Sequence, residues 1–335
     1  MRGRLFIGIW VIFIIVGIIG IVPNLGFSEE VVKVGYQKIA TGLPFFVALD
    51  RGFFEESGLK VEPIVFGSSN LLLEAVASGK IDASSDAGTF TFLSIEAANP
   101  GLLKIYKMAL VGTGVSKGEF GRSGAESLIV RKGSDIESIT QLKGKTIGIF
   151  PGIAFRKNFK IILKAYGLDI DKDVEMIDLI PPLQIGALEA GKVDALFALD
   201  PVPAICEAKG IGRRIADNLV TGYVLDPVCI GCGVFSSRFL KERPLAAKKF
   251  QEAMEKAAEW IYNNPDGAIR IFPKYIPVDE EIVLKNRCAN WHFNFSKEDI
   301  ALFQKNIDFW FEQGLLSKRL DVDNLLVNEK DFVNR

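Results

Sequence analysis

Residues 32–59 read "VKVGYQKIATGLPFFVALDRGFFEESGL", an apolar stretch that opens as a strand and continues, past a loop, at helical spacing. The pattern predicts a strand, a loop, a helix and a closing Gly-Leu. Residues 145–168, "KTIGIFPGIAFRKNFKIILKAYGL", follow the same plan. A second pair of matching stretches follows each of these. "VEPIVFGSSNLLLEAVASGKIDA" at 61–83 and "VEMIDLIPPLQIGALEAGKVDA" at 174–195 each predict a strand, a turn, an amphipathic helix and a second strand. The chain is therefore read as two β-α-β-α-β units, and strands alternating with helices imply parallel sheets with right-handed crossovers.

The shared phrase GK[IV]DA, at 79–83 and 191–195, marks one corner in each unit. Its glycine falls just past a helix, where a left-handed residue is wanted. Each copy then runs towards a new helix, and Asp86 and Asp200 are the expected N-caps, with Pro201 in the first turn. Asn70 is expected to cap the helix "LLLEAVAS", and Thr41 or Gly42 the helix "LPFFVALDRGFF". Further strand-to-helix corners fall at 37–44, 67–70 and 150–156. In open α/β sheets ligands bind beyond the carboxyl ends of strands, where helix N-termini leave N–H groups unpaired.

Two crossings between lobes are expected. One is the glycine-rich "GTGVSKGEFGRSGAE" at 112–126; the other is "TGYVLDPVCIGCGVF" at 221–235. After them come mostly helices, including one from Pro244 and one opened by a Ser296/Asp299 capping box. The sequon Asn294-Phe295-Ser296 reads more economically as part of that cap. The resulting boundaries are 1–28 for a leader, 29–125 plus 222–335 for lobe one, and 126–221 for lobe two.

Composition changes this picture little. The chain has 335 residues, 49 % apolar and 24 % charged, with a net charge of −1. No basic stripe points to nucleic acid. The N-terminus is more informative: Arg2 and Arg4 precede an uncharged apolar run from Leu5 to Val22, and Gly26-Phe27-Ser28 offers a cleavage site before Glu29. This is an export signal or an uncleaved anchor, which places the rest outside the cytoplasmic membrane. Past residue 30 no second spanning segment is found. Cys229 and Cys232 lie in an extended run and are expected to be buried thiols; Cys206 and Cys288 leave their pairing open.

Candidate chemistry is sparse. His292 is the single histidine, away from the repeat corners, and is assigned a structural or surface role. HExxH and zinc spacings are absent, and "GKT" at 144–146 lacks the earlier glycine of a P-loop. No catalytic residue, metal or cofactor is expected.

The motifs "GLPFFVALDRGFFEESGLKVE", "ASGKIDA", "SLIVRKGSDIESITQLKGKTIGI", "GALEAGKVDALFALDPVP" and "SSRFLKERP" give residues 31–320 a family resemblance. The chain is similar to the extracytoplasmic solute-binding proteins of ABC importers, in the group for taurine, alkanesulfonates, nitrate and thiamine-pyrimidine precursors. The resemblance implies an α/β, two-lobed type II periplasmic binding fold, each lobe a mostly parallel sheet flanked by helices, with a two-strand hinge. It also implies a monomer that holds a small solute between its lobes and docks on a permease and its ATPase. The solute-lining positions it implies are Lys38, Thr41, Gly42, Leu43, Asn70, Asp86, Thr89, Gly152, Arg156 and Asp200. Receptors for oxyanions in this group tend to offer hydroxyls at the first lobe-two corner, and "PGIAFR" has none. An inward Arg156 would compensate; otherwise the two aspartates suit a donor-bearing heterocycle stacked on Tyr36 or Phe155. Rival expectations are a membrane-tethered ligand sensor and an enzyme of the same fold, such as a thiamine-pyrimidine synthase relative. That enzyme consumes its own active-site histidine, which His292 is poorly placed to supply.

Overall fold

The computed structural model describes residues 30–115, 117, 126–276, 279 and 289–333. The leader, Cys288 and most of the first crossing lie outside the described residues. Among those described, no helix is long and apolar enough to cross a membrane.

The first unit runs β1 (Glu30–Tyr36), α1 (Leu43–Asp50), α2 (Phe53–Glu56), β2 (Leu59–Val65), α3 (Ser69–Ala77) and β3 (Ala83–Gly88). It continues through α4 (Thr89–Ala98) and β4 (Leu103–Val111). After the first crossing come β5 (Glu126–Arg131), β6 (Thr146–Ile149), α5 (Ile153–Ala165), β7 (Glu175–Asp178), α6 (Pro181–Glu189) and β8 (Ala195–Leu199). Then follow α7 (Val202–Ala208), β9 (Gly212–Asp217) and α8 (Leu219–Tyr223). The second crossing leads to β10 (Val228–Ser236), α9 (Ser237–Glu242), α10 (Pro244–Asn263), α11 (Pro265–Ile271), β11 (Asn290–His292) and α12 (Lys297–Glu312).

These strands form two sheets. One has the order β11-β4-β10-β3-β1-β2 and the other β7-β6-β8-β5-β9. The β-α-β-α-β units are parallel, as expected: β1 pairs in parallel with β2 and β3, and β6 with β7 and β8. The sheets as wholes are mixed, because β10 runs antiparallel to β3 and β4, and β5 antiparallel to β8 and β9. β5 and β10 are the first strands after the two crossings, so each enters its sheet from the opposite end. α10 packs on α1 and α2, and α12 on β10.

The repeated phrase builds the same corner twice. Gly79 has φ 69° and Gly191 φ 67°, each just past its helix. Both adopt the left-handed conformation that glycine takes without a Cβ penalty. The aspartate of the phrase then clamps the neighbouring strand. Asp82 Oδ2 accepts from Lys33 N–H at 2.8 Å, and Asp194 Oδ2 from Thr146 N–H at 2.9 Å.

The capping expectations need correction at three places. β3 carries on through Asp86, and Gly88 is the N-cap of α4. α3 is capped by Ser68, which accepts from Leu71 N–H, leaving Asn70 inside the helix. α7 starts at Val202 with Pro201 in the cap position and no side-chain cap, because the Asp200 carboxylate pairs with Arg214 instead. Elsewhere Gly42 caps α1, and Ser296 with Asp299 forms the expected capping box.

Candidate functional site

Both sheets contribute to one cavity of about 60 Å³. Part of its lining comes from the carboxyl ends of strands: Thr41 after β1, Asp86 and Gly88 at the end of β3, Pro151 and Gly152 after β6, and Leu199 at the end of β8. The internal repeat and the general rule for open α/β sheets both point to these corners. The walls are largely aromatic. Phe90 and Trp310 meet edge to face at 5.5 Å on the side of the first sheet, and Phe150 and Phe155 lie 5.3 Å apart on the other. The two halves also touch beyond the cavity. α4 packs on α5, and a Cβ added at Gly67 would lie 3.2 Å from Ile180 Cγ2. The arrangement is therefore closed.

Asp86 is 2 % exposed. Its Oδ1 lies 3.2 Å from Lys107 Nζ, itself fully buried, and its Oδ2 accepts from the Thr41 hydroxyl. A buried carboxylate demands such compensation. Lys107 stands behind Asp86; among the described residues, no lysine or arginine lines the cavity.

Glu126, the first residue of β5, also lines the cavity and is 2 % exposed. Burial pushes its carboxyl up to about 7, against the lowering pull of the Val220 N–H, with Asp217 and Asp200 adding to the rise. Three further lining groups have a buried polar atom with no hydrogen-bond partner: Thr91 Oγ1, Asn158 Oδ1 and Trp310 Nε1. Leaving such atoms unpaired is costly, and a solute that pairs them recovers that cost.

The residues singled out from the sequence divide into two groups. Thr41, Asp86 and Gly152 line the cavity together, as does Phe155. Lys38, Gly42, Leu43, Asn70, Thr89, Arg156 and Asp200 are not in the lining. Lys38 is half-buried in the loop after β1, and Leu43 is packed in the core. Asn70 lies on α3, and the Thr89 hydroxyl donates to Cys229 Sγ at 3.4 Å. Arg156 turns to Asp178 at 2.9 Å, half-exposed, so it does not compensate for the missing hydroxyls of its corner. Asp200 is buried against Arg214 at 2.9 Å, because β5 pairs with both β8 and β9 and brings the two together. Tyr36 packs on Phe45 and Phe46.

Sequence reasoning missed Glu126, Thr91, Asn158 and Trp310. Glu126 alone left a signal: an acidic residue opening the apolar strand "ESLIVR". Cys206, Cys229 and Cys232 are buried free thiols, and burial pushes Cys206 and Cys229 up to about 12. His292 lies on β11, where Nδ1 meets Asp299 Oδ1 at 2.8 Å and Nε2 meets Asn290 Nδ2 at 2.6 Å.

The profile of the NMT1-like family matches residues 27–272. A Brucella abortus (strain 2308) protein, provisionally named a binding protein, is 23 % identical over 261 residues, 77 % of this chain and 76 % of its own length. A 4-amino-5-hydroxymethyl-2-methylpyrimidine phosphate synthase of Uromyces fabae is 24 % identical over 293 residues, covering 84 % and 79 %. Among solved structures, the alkanesulfonate-binding protein SsuA of Xanthomonas axonopodis pv. citri, bound to MOPS, superposes with a TM-score of 0.70 at 23 % identity. That match covers 89 % of this chain and 98 % of the other. The fold is that of periplasmic solute-binding proteins.

Proposed function

Since the chain belongs to the NMT1-like family, we propose that it is the extracytoplasmic solute-binding component of an ABC importer, exported by its N-terminal segment. Two lobes, 29–125 with 222–335 and 126–221, close over a small organic solute and present it to a permease and its ATPase. The observation that carries this reading is the cavity built from elements of both sheets. A solute touching both halves binds the closed form better than an open one and shifts the population accordingly.

The lining favours a pyrimidine-precursor-like solute over an oxyanion. A sulfonate or nitrate would face Asp86 and Glu126 with no lysine or arginine among the described lining residues. A planar heterocycle with N–H or O–H donors meets the aromatic walls and finds acceptors in Thr91, Asn158 and the carboxyl groups. Micromolar affinity corresponds to about −8 kcal/mol, which several such contacts plus apolar burial supply.

The test is a thermal-shift and calorimetric comparison of 4-amino-5-hydroxymethyl-2-methylpyrimidine, taurine and nitrate. The pyrimidine at one hundred times its Kd is expected to stabilise the chain by about 2.7 kcal/mol. Stabilisation by taurine or nitrate alone would replace the solute class. The synthase relative keeps an enzymatic reading in view, but His292 is bound to Asp299 and Asn290 and is not a cavity residue. Formation of a phosphorylated pyrimidine by the purified chain would overturn the transport assignment.

A further inference from the structure

Glu126 occupies a junction. It is the first residue of β5, where the chain enters the second sheet after the first crossing, and it pairs across the ladder with Leu199, another cavity residue. Its Oε1 accepts the Val220 N–H of α8 at 3.0 Å. α8 ends at Tyr223, within the second crossing, which continues through Asp226. Asp226 in turn accepts from the Thr113 N–H at 2.7 Å and the Thr113 hydroxyl at 2.6 Å, joining the two crossings. The Glu126 carboxyl thus lines the cavity and holds α8, the helix that leads into the second crossing.

We infer that Glu126 determines the specificity of the cavity: closing the lobes buries its carboxylate, so closure at neutral pH requires a solute that donates an N–H or carries positive charge. This deepens the solute-binding reading and rests on it. Among the described residues, the groups that face Glu126 do not remove the requirement. From β9 come Asp217 and Arg214, and from the end of β8 comes Asp200; Arg214 is engaged by Asp200 at 2.9 Å and Asp217 at 3.1 Å. Elsewhere in the lining stands Asp86, already paired with Lys107 behind it. From β10 comes the Cys229 thiol, which burial keeps protonated, and α8 carries Tyr223, whose phenol bonds to Tyr166 of α5. A buried ionised carboxylate is costly unless paired. In acid the proton removes that cost; at neutral pH a donor or cation on the solute does so. An anion adds to it.

Small-angle X-ray scattering of the full chain without solute, from pH 5.5 to 8.5, tests the inference directly. The wild type is expected to be more compact below neutrality and to open as pH rises through about 7. Glu126→Gln keeps an acceptor for Val220 and is expected to stay compact throughout. A wild-type radius of gyration independent of pH would overturn the inference, whether or not the variant folds. So would a variant that follows the wild-type curve. In calorimetry at pH 8, Glu126→Gln is expected to bind 4-amino-5-hydroxymethyl-2-methylpyrimidine at least tenfold more weakly, and unchanged affinity would overturn the inference. If the pyrimidine binds neither protein while the scattering behaves as expected, Glu126 keeps its role and the solute class proposed above falls.

Discussion

Asp194 does in the second sheet what Asp82 does in the first: each accepts a backbone N–H from the adjacent first strand, Thr146 in one case and Lys33 in the other. Each aspartate also donates its own N–H back to the same residue's carbonyl, at 2.8 Å and 2.9 Å. The repeated phrase therefore encodes a clamp that fixes where β8 meets β6 and where β3 meets β1. Asp194→Ala leaves the Thr146 N–H without its acceptor, at a cost of about 1.5–3 kcal/mol. Asp194→Asn, which keeps an acceptor oxygen, is expected to lose less. Urea denaturation distinguishes the two, and equal loss in both variants would exclude the hydrogen bond as the cause.

Lys107 neutralises Asp86 at 3.2 Å in a setting where neither side chain is more than 3 % exposed. Lys107→Met strands the carboxylate and is expected to destabilise the chain by about 3–5 kcal/mol. The double variant Asp86→Asn, Lys107→Met removes both charges and is expected to recover most of that loss. Wild-type stability in Lys107→Met alone would mean that water, not lysine, solvates Asp86.

Stability should also depend on pH through Glu126. Burial raises its carboxyl from 4.5 to about 7, so the folded chain holds the proton more tightly than the unfolded one. The associated stability is fully present below pH 4.5 and is lost as pH rises through 7. At about 1.36 kcal/mol per pH unit the change amounts to roughly 3 kcal/mol. Glu126→Gln is expected to flatten the curve of unfolding free energy over this window. A variant curve with the wild-type slope would assign the dependence to other groups.

Thr91 Oγ1 is buried without a partner beside the cavity. Thr91→Val removes the unpaired hydroxyl at nearly constant volume, and the unliganded chain is expected to gain up to about 1 kcal/mol. Its affinity for the solute should fall by about tenfold, as one hydrogen bond is lost. Stability and affinity falling together would instead show Thr91 to be structural.

What was legible in the sequence was local. The 3.6- and 2-residue periodicities, the glycines at 79 and 191 and the Ser296/Asp299 box depend on neighbours a few positions away, and the structure places them as read. The corners Thr41, Asp86 and Gly152 were also legible, since parallel strands put their carboxyl ends on one side. Capping was legible only where no distant partner competed. Asp86 and Asp200 look like N-caps in isolation, yet Lys107 and Arg214 claim them from other strands.

By itself, the sequence determined two parallel units, their order and the side on which any site must lie, because these follow from backbone geometry and periodicity. Only the tertiary structure decided which side chains face the cavity. β5 and β10 enter their sheets antiparallel, and α12 folds back to place Trp310 beside Phe90. Glu126, Thr91, Asn158 and Trp310 meet from separate segments, and whether a polar group is buried or paired depends on neighbours that no local pattern records.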